Sequence, residues 1–194
     1  SISGRLQFTY PQSFVQAVFS SDGRRLVSIG PGDTIGVWDA ASPRMLYAFP
    51  TGNLQPMYVA FSPDGSRIVV AGERQRRPGT SALTAELFTA AADSRPTLLK
   101  GHTDIIRSIG FSPDGRRIIT GSWDNTVKLW DTATGRETLS LRADVGRVIQ
   151  AAFTPDGKHI LAVGEHNMVK EWDAASDLQI AAWDAARQSE PASN

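Results

Sequence analysis

Cysteine is absent from the 194-residue chain, which excludes disulfides and thiolate metal sites. Histidine is scarce: His102, His159 and His166 are the whole supply, and no spacing groups them as metal ligands. Charge of one sign is lacking too, because 20 basic residues balance 20 acidic ones. Bulk electrostatics therefore favours neither nucleic acid nor a membrane surface as partner. No apolar run approaches the roughly 20 residues that span a bilayer. The opening SISGRLQFTY has no basic segment followed by a long apolar core, so it does not read as a signal peptide. Nucleophile elbow, Walker loop, His-x-x-x-His spacing and Gly-rich dinucleotide turn are all missing. No catalytic residue, cofactor or metal is assigned. A soluble, neutral, β-rich chain remains, and at 41% hydrophobic it can build a real core.

What is present is repetition. The turn sequence FSPDG recurs as Phe19-Ser-Ser-Asp-Gly23, Phe61-Ser-Pro-Asp-Gly65, Phe111-Ser-Pro-Asp-Gly115 and Phe153-Thr-Pro-Asp-Gly157. Phe-to-Phe spacings are 42, 50 and 42 residues. Each Phe is followed 19 residues later by Trp38, Trp130 or Trp172 in three copies, and 27 residues later by Phe88 in the second. From Trp38, Phe88 and Trp130 to the next Phe the distance is 23 each time. Four copies of one unit are present, with one insertion of eight residues in the second.

Each copy reads as four short strands, VQAVF, RRLVSI, TIGVW and RMLYAF in the first. Asp-Gly and Asp-Asn turns separate them, with glycine supplying positive φ. A four-stranded sheet cannot bury both faces alone, so copies are expected to stack face to face. Phe19, Phe61, Phe111 and Phe153, with Trp38, Phe88, Trp130 and Trp172, are expected to supply that packing.

The third copy, GHTDIIRSIGFSPDGRRIITGSWDNTVKLWD, opens on Gly101-His102 and closes on Trp130-Asp131. It resembles a WD-repeat (WD40) β-propeller blade. The resemblance implies an all-β fold of four-stranded antiparallel blades, forming half or part of a larger propeller. It also implies a buried hydrogen-bond chain in which Asp124 orients His102, and His102 bridges toward Thr120 and Trp130. That role accounts for residue types that could otherwise suggest catalysis. The other copies depart from the set: the first lacks Gly-His, the second has Phe88 for Trp, and the fourth has His166 where Asp belongs. The recurring SPDGRRI style looks bacterial.

In chain order, residues 1–10 look like an outer strand of a preceding or partner blade. Blades follow at 11–50, 51–100 with the insertion at 73–80, 101–142 and 143–184, and a polar tail at 185–194 is expected to be disordered. The insertion is expected in the connection between second and third strands, where Arg74, Arg76 and Arg77 either grip an acidic peptide or phosphate or decorate a solvated loop. Val15, Met57, Arg107 and Ile149 share one position, four before each Phe, and Trp123 sits beside Asp124. These read either as partner-binding groups or as packing near the channel.

WD propellers most often close with seven or more blades, so four imply a segment of a larger protein or two copies joining into an eight-bladed ring. The expected function is a non-catalytic scaffold that binds protein partners through faces and loops. Alternatives are a sensor module controlling an attached effector domain, and an enzyme built on propeller loops. Expected partners are proteins, the protein's own further blades or a second copy, with neither nucleic acid nor membrane. A cytoplasmic location is the default.

Overall fold

The computed structural model describes residues 14–30, 34–52, 54–77, 80–91 and 94–174, with Pro50, 74–77 and 80–83 described as backbone alone. The outer strands expected at 1–10 and within 175–184, and the tail at 185–194, lie outside the described residues. The chain divides into two compact units, Ser1–Leu98 and Leu99–Asn194. Every described element is a strand.

The first unit holds two four-stranded antiparallel sheets. One is β1 (Gln16–Phe19), β2 (Arg25–Ile29), β3 (Thr34–Asp39) and β4 (Met45–Pro50), in that spatial order. The other is β5 (Leu54–Phe61), β6 (Arg67–Arg77), β7 (Thr80–Thr89) and β8 (Thr97–Leu99). The second unit holds β9 (Ile106–Phe111), β10 (Arg117–Ser122), β11 (Thr126–Asp131) and β12 (Glu137–Arg142). Beside them lie β13 (Val148–Phe153), β14 (His159–Gly164) and β15 (Val169–Asp173), a sheet three-stranded among the described residues. These meanders have the form of WD40-type blades.

The repeat spacing becomes register. Phe19, Phe61, Phe111 and Phe153 pair with Leu26, Ile68, Ile118 and Ile160, which pair in turn with Trp38, Phe88, Trp130 and Trp172. The hairpin that sets this register is built the same way four times. The hydroxyls of Ser20, Ser62, Ser112 and Thr154 donate to the turn aspartates Asp22, Asp64, Asp114 and Asp156 at 2.5–2.6 Å. The same oxygens accept the backbone N–H of Arg25, Arg67, Arg117 and His159. The glycine of each turn takes positive φ, 65° at Gly65, a conformation that disfavours other residues.

Within each unit the first strands of the two sheets are linked side by side. Gln16 Oε1 accepts the Val59 N–H at 2.8 Å, and Ser108 Oγ donates to Ala151 O at 2.9 Å. Six positions after the Phe stands an arginine in three copies, with His159 in the fourth, and in both units the first sheet's arginine caps the Phe of the next sheet. Arg25 lies 5.6 Å from the Phe61 ring and donates to Gly65 O at 2.8 Å. Arg117 lies 5.2 Å from the Phe153 ring. In the first unit the core joins Val27, Ile35, Phe49, Val59, Ile68 and Phe88. In the second it joins Ile119, Leu129, Val148 and Ile160, with Phe153 and Trp172 packed against it.

Two findings correct the sequence reading. Phe19 does not pack between sheets: it is 59% exposed. Phe61 and Phe153 are covered by the sheet before them, and among the described residues no sheet precedes Phe19. The insertion at 73–80 also departs from a connecting loop. Its backbone continues β6 and β7 as a longer hairpin, paired from Gly72↔Thr84 to Arg77↔Thr80. Glu73, Arg74, Gln75, Arg77 and Thr80 thereby gain ladder positions for main-chain polar groups that a loop would leave to water.

The turn carboxylates titrate low. The hydroxyls of Ser62 and Ser66, with the Ser66 amide, hold Asp64 down at about 2 from 3.8. A carboxyl depressed on folding stabilises the native state above its unfolded value, and that contribution fades as pH falls through the folded value. Stability should therefore decline from about pH 4 toward pH 2. Replacing Ser62→Ala should cost about 1–2 kcal/mol and move Asp64 back toward 3.8, read by denaturant melts and carboxyl NMR titration.

Candidate functional site

One polar cluster is buried in the sheet β9–β12. The Trp130 side chain is fully buried, and its Nε1–H donates to Thr120 Oγ1 at 2.9 Å. His102 Nε2 lies 2.7 Å from the same hydroxyl. His102 Nδ1 lies 2.8 Å from Asp124 Oδ2, and since a carboxylate only accepts, Nδ1–H is the donor. Asp124 also accepts from the Thr103 amide, the Thr126 amide and the Thr126 hydroxyl. Burial alone would raise its pKa, but the bonds from His102, Thr126 and Thr103 outweigh that and hold the carboxyl well below its usual range.

Aspartate, histidine and a hydroxyl in line have the composition of a nucleophilic triad. The geometry spends them otherwise. Thr120 is completely buried and its oxygen is occupied by the indole and the imidazole. The His102 side chain is 1% exposed and that of Asp124 is 7% exposed. No substrate reaches the hydroxyl, and the chain of bonds satisfies polar groups that would be costly if unpaired. Among the described residues no group of three or more His, Cys, Asp or Glu is placed to hold a metal.

The remaining copies show what the indole requires. Trp38 donates to Ser28 Oγ at 2.8 Å, Ser28 occupying the place of Thr120. In the second copy Phe88 has no N–H, and the place of the hydroxyl is taken by the buried Val70. That exchange of a Trp–hydroxyl pair for a Phe–Val pair is readable in the sequence once the register is known, and sequence reasoning missed it. In the fourth copy Trp172 is half-buried under Lys170, whose Nζ lies 5.3 Å from the ring.

A second set of residues shares a place on the first strands, Arg107 half-buried and the others exposed. Met57, Arg107 and Ile149 each sit at a β-bulge on the first strand of their sheet. The register skips from Pro56 to Tyr58, from Ile106 to Ser108 and from Val148 to Gln150. A bulge re-aims one side chain away from the ladder. Met57 and Ile149 are each 40% exposed and Val15, in the matching position, is 76% exposed. Glycine faces two of the bulges because nothing larger fits: a Cβ on Gly72 would lie 2.1 Å from Gln55 O, and one on Gly164 would lie 2.0 Å from Val145 O. Sequence reasoning found the shared position but not the bulge, which the glycine eleven residues after the Phe could have signalled.

Trp123 is half-buried beside the network, its ring 5.6 Å from the Arg107 guanidinium and 4.8 Å from that of Arg147. Arg147 was not singled out by sequence reasoning. Phe111 is half-buried. The side chains of Arg74, Arg76 and Arg77 lie outside the described residues.

Comparison with known proteins bears on the same region. Residues 93–131 match the family described as "WD domain, G-beta repeat". Protein groucho of Drosophila melanogaster is 34% identical over 118 residues, 60% of this chain and 15% of the relative. The guanine nucleotide-binding protein G(I)/G(S)/G(T) subunit beta-1 of Homarus americanus is 29% identical over 131 residues, 68% of this chain and 37% of the relative. The small ribosomal subunit protein RACK1 of Dictyostelium discoideum is 31% identical over 80 residues, 41% of this chain and 24% of the relative. The chain thus spans well under half the length of these curated relatives.

Replacing His102→Ala or Thr120→Val should destabilise the chain by about 2–4 kcal/mol by leaving buried partners unpaired, measured by urea unfolding. In the second copy, Phe88→Trp should bury an unpaired indole N–H. Adding Val70→Thr should recover about 1 kcal/mol of the loss, read as the coupling in a double-mutant cycle.

Proposed function

We propose that the chain is a non-catalytic protein-interaction scaffold that contacts protein partners through the bulged edges of its first strands. The carrying observation is the display of Met57, Arg107 and Ile149 at equivalent bulges, with Val15 exposed at the same position. Large apolar side chains left 40–76% exposed at a repeated place offer contact area to a partner. The buried triad-like groups are committed to structure. Relatives named as a subunit of a guanine nucleotide-binding protein and as a small ribosomal subunit protein are components of assemblies, which supports the reading. A bacterial origin rests on the SPDGRRI style alone, and a cytoplasmic location stays an expectation.

One observation favours self-assembly as part of that function. Phe19 occupies the position that Arg25 and Arg117 cap in the following sheets, and it is 59% exposed. A preceding blade, supplied by a second copy, would cover it, and two copies would make an eight-bladed ring. Light scattering after gel filtration checks this: a dimer has twice the 21.0 kDa chain mass, and Phe19→Glu should shift it to monomer. A monomer at all concentrations removes the ring. The scaffold reading is checked with Met57→Ser and Ile149→Ser, which should weaken capture of a defined partner at least fivefold while costing about 1–2 kcal/mol of stability and leaving each variant folded by circular dichroism. Unchanged capture by both variants removes it.

A further inference from the structure

We propose that the face of β13–β15 bearing Gln150, His159 and Glu171 seats the first sheet of a second copy, and that a proton on His159 tightens the joint. The proposal rests on the self-assembly reading and names the residues and the regulation of that contact. Each unit shows how one sheet joins the next. The residue three places before the first sheet's Phe bonds the main chain of the second sheet. Gln16 accepts from the Val59 N–H, while Ser108 accepts from the Ala151 N–H and donates to the Ala151 carbonyl. The residue six places after that Phe caps the next Phe, Arg25 on Phe61 and Arg117 on Phe153. The sheet β13–β15 carries Gln150 and His159 at those two places. By register they share one face with Leu161, Val163 and Glu171. Gln150 is exposed, and the His159 side chain is 39% exposed. The sheet β1–β4 carries the receiving half, with Phe19 exposed. Alternate residues of an antiparallel edge strand turn their N–H away from the ladder. The Ser20 N–H pairs inward with Arg25 O, so the Ala17 N–H lies at the open edge of β1, matching the Val59 N–H that Gln16 accepts.

The fourth sheet departs from the others at one place on that face. The residue before the Trp position is Val37, Leu87 or Leu129 in three copies, each buried, and Glu171 in the fourth. Glu171 Oε1 lies 3.2 Å from His159 Nδ1, and Asp173 Oδ1 lies 3.4 Å from it. Closing a sheet over Glu171 takes its carboxylate out of water, a cost that falls when the charge is paired. Protonated His159 supplies that pairing. Standing where Arg25 and Arg117 stand in their sheets, it also supplies a cation for the Phe19 ring of the second copy. Neutral His159 supplies neither. The other charged groups at this end of the joint are Asp156 and Lys158 in the hairpin before β14, and Asp22, Arg24 and Arg25 of the incoming sheet; β13 has none. Both turn aspartates are bonded within their own turns. The joined state holds the proton more tightly, so association strengthens as pH falls through the imidazole range of about 8 to 5.

The test is analytical ultracentrifugation of the full chain over a dilution series at about pH 8 and about pH 5.5. The dimer dissociation constant should fall about tenfold from the higher pH to the lower, since a closed pair contains the joint twice. His159→Arg should hold the tighter value at both pH values, and His159→Gln the weaker one. Gln150→Ala should weaken the dimer about three- to tenfold at both. Circular dichroism melts should show that each variant folds. If a His159 variant does not fold, Glu171→Gln supplies the comparison, and it should shrink the pH response to less than about threefold. A dimer that Phe19→Glu dissociates, but that ignores pH and the Gln150 and His159 substitutions, overturns the proposal and leaves self-assembly standing. A pH response that survives in His159→Arg also overturns the proposal. A monomer at both pH values overturns both readings.

Discussion

A side-chain oxygen at the second position of each FSPDG turn holds the architecture in register. It donates to the turn aspartate and accepts the backbone N–H five residues on, so both sides of the hairpin close on one atom. With that closure fixed, Phe can only face the apolar residue seven positions later, which in turn faces the Trp position. The cation one residue before that apolar partner is then aimed at the next sheet, where Arg25 and Arg117 meet Phe61 and Phe153. A local hydrogen bond thus propagates into contact between sheets.

The chain met this constraint four times with different interiors. Where the third strand ends in a buried indole, a hydroxyl ten residues earlier accepts its N–H hydrogen bond: Thr120 for Trp130 and Ser28 for Trp38. Where it ends in Phe88, Val70 fills the space and no acceptor is needed. The fuller network of His102 and Asp124 adds a tie between the entry to β9 and the β10–β11 hairpin. It follows from having both an indole to satisfy and a buried imidazole to orient.

Much of this was legible because it depends on spacing. Strand count, turn chemistry and the places of Phe and Trp on the sheets all follow from residue intervals. The association of His102 with Asp124 came through resemblance, since 22 residues of separation carry no local signal. Three features were not legible, each for a physical reason. The bulges at Met57, Arg107 and Ile149 leave the count of residues per repeat unchanged, so no periodicity marks them, and only Gly72 and Gly164 opposite two of them carry a sequence trace. The Glu73–Arg77 stretch is too polar to read as strand, yet its backbone extends the β6–β7 hairpin because ladder pairing depends on main chain. Phe19 has nearly the same local sequence as its half-buried counterparts, and its exposure depends on a neighbouring sheet rather than on its own.

The bulges have a consequence for how such a chain can change. At the position four before each Phe the four copies carry Val15, Met57, Arg107 and Ile149, three aliphatic in character and one cationic. The positions that build the sheets are far more uniform: Leu26, Ile68, Ile118 and Ile160 all hold the same seat. A side chain lifted out of the ladder can be exchanged without disturbing its neighbours' pairing. The bulged position is therefore decoupled from the pairing that builds the sheet, and single substitutions can accumulate there while the fold stays untouched.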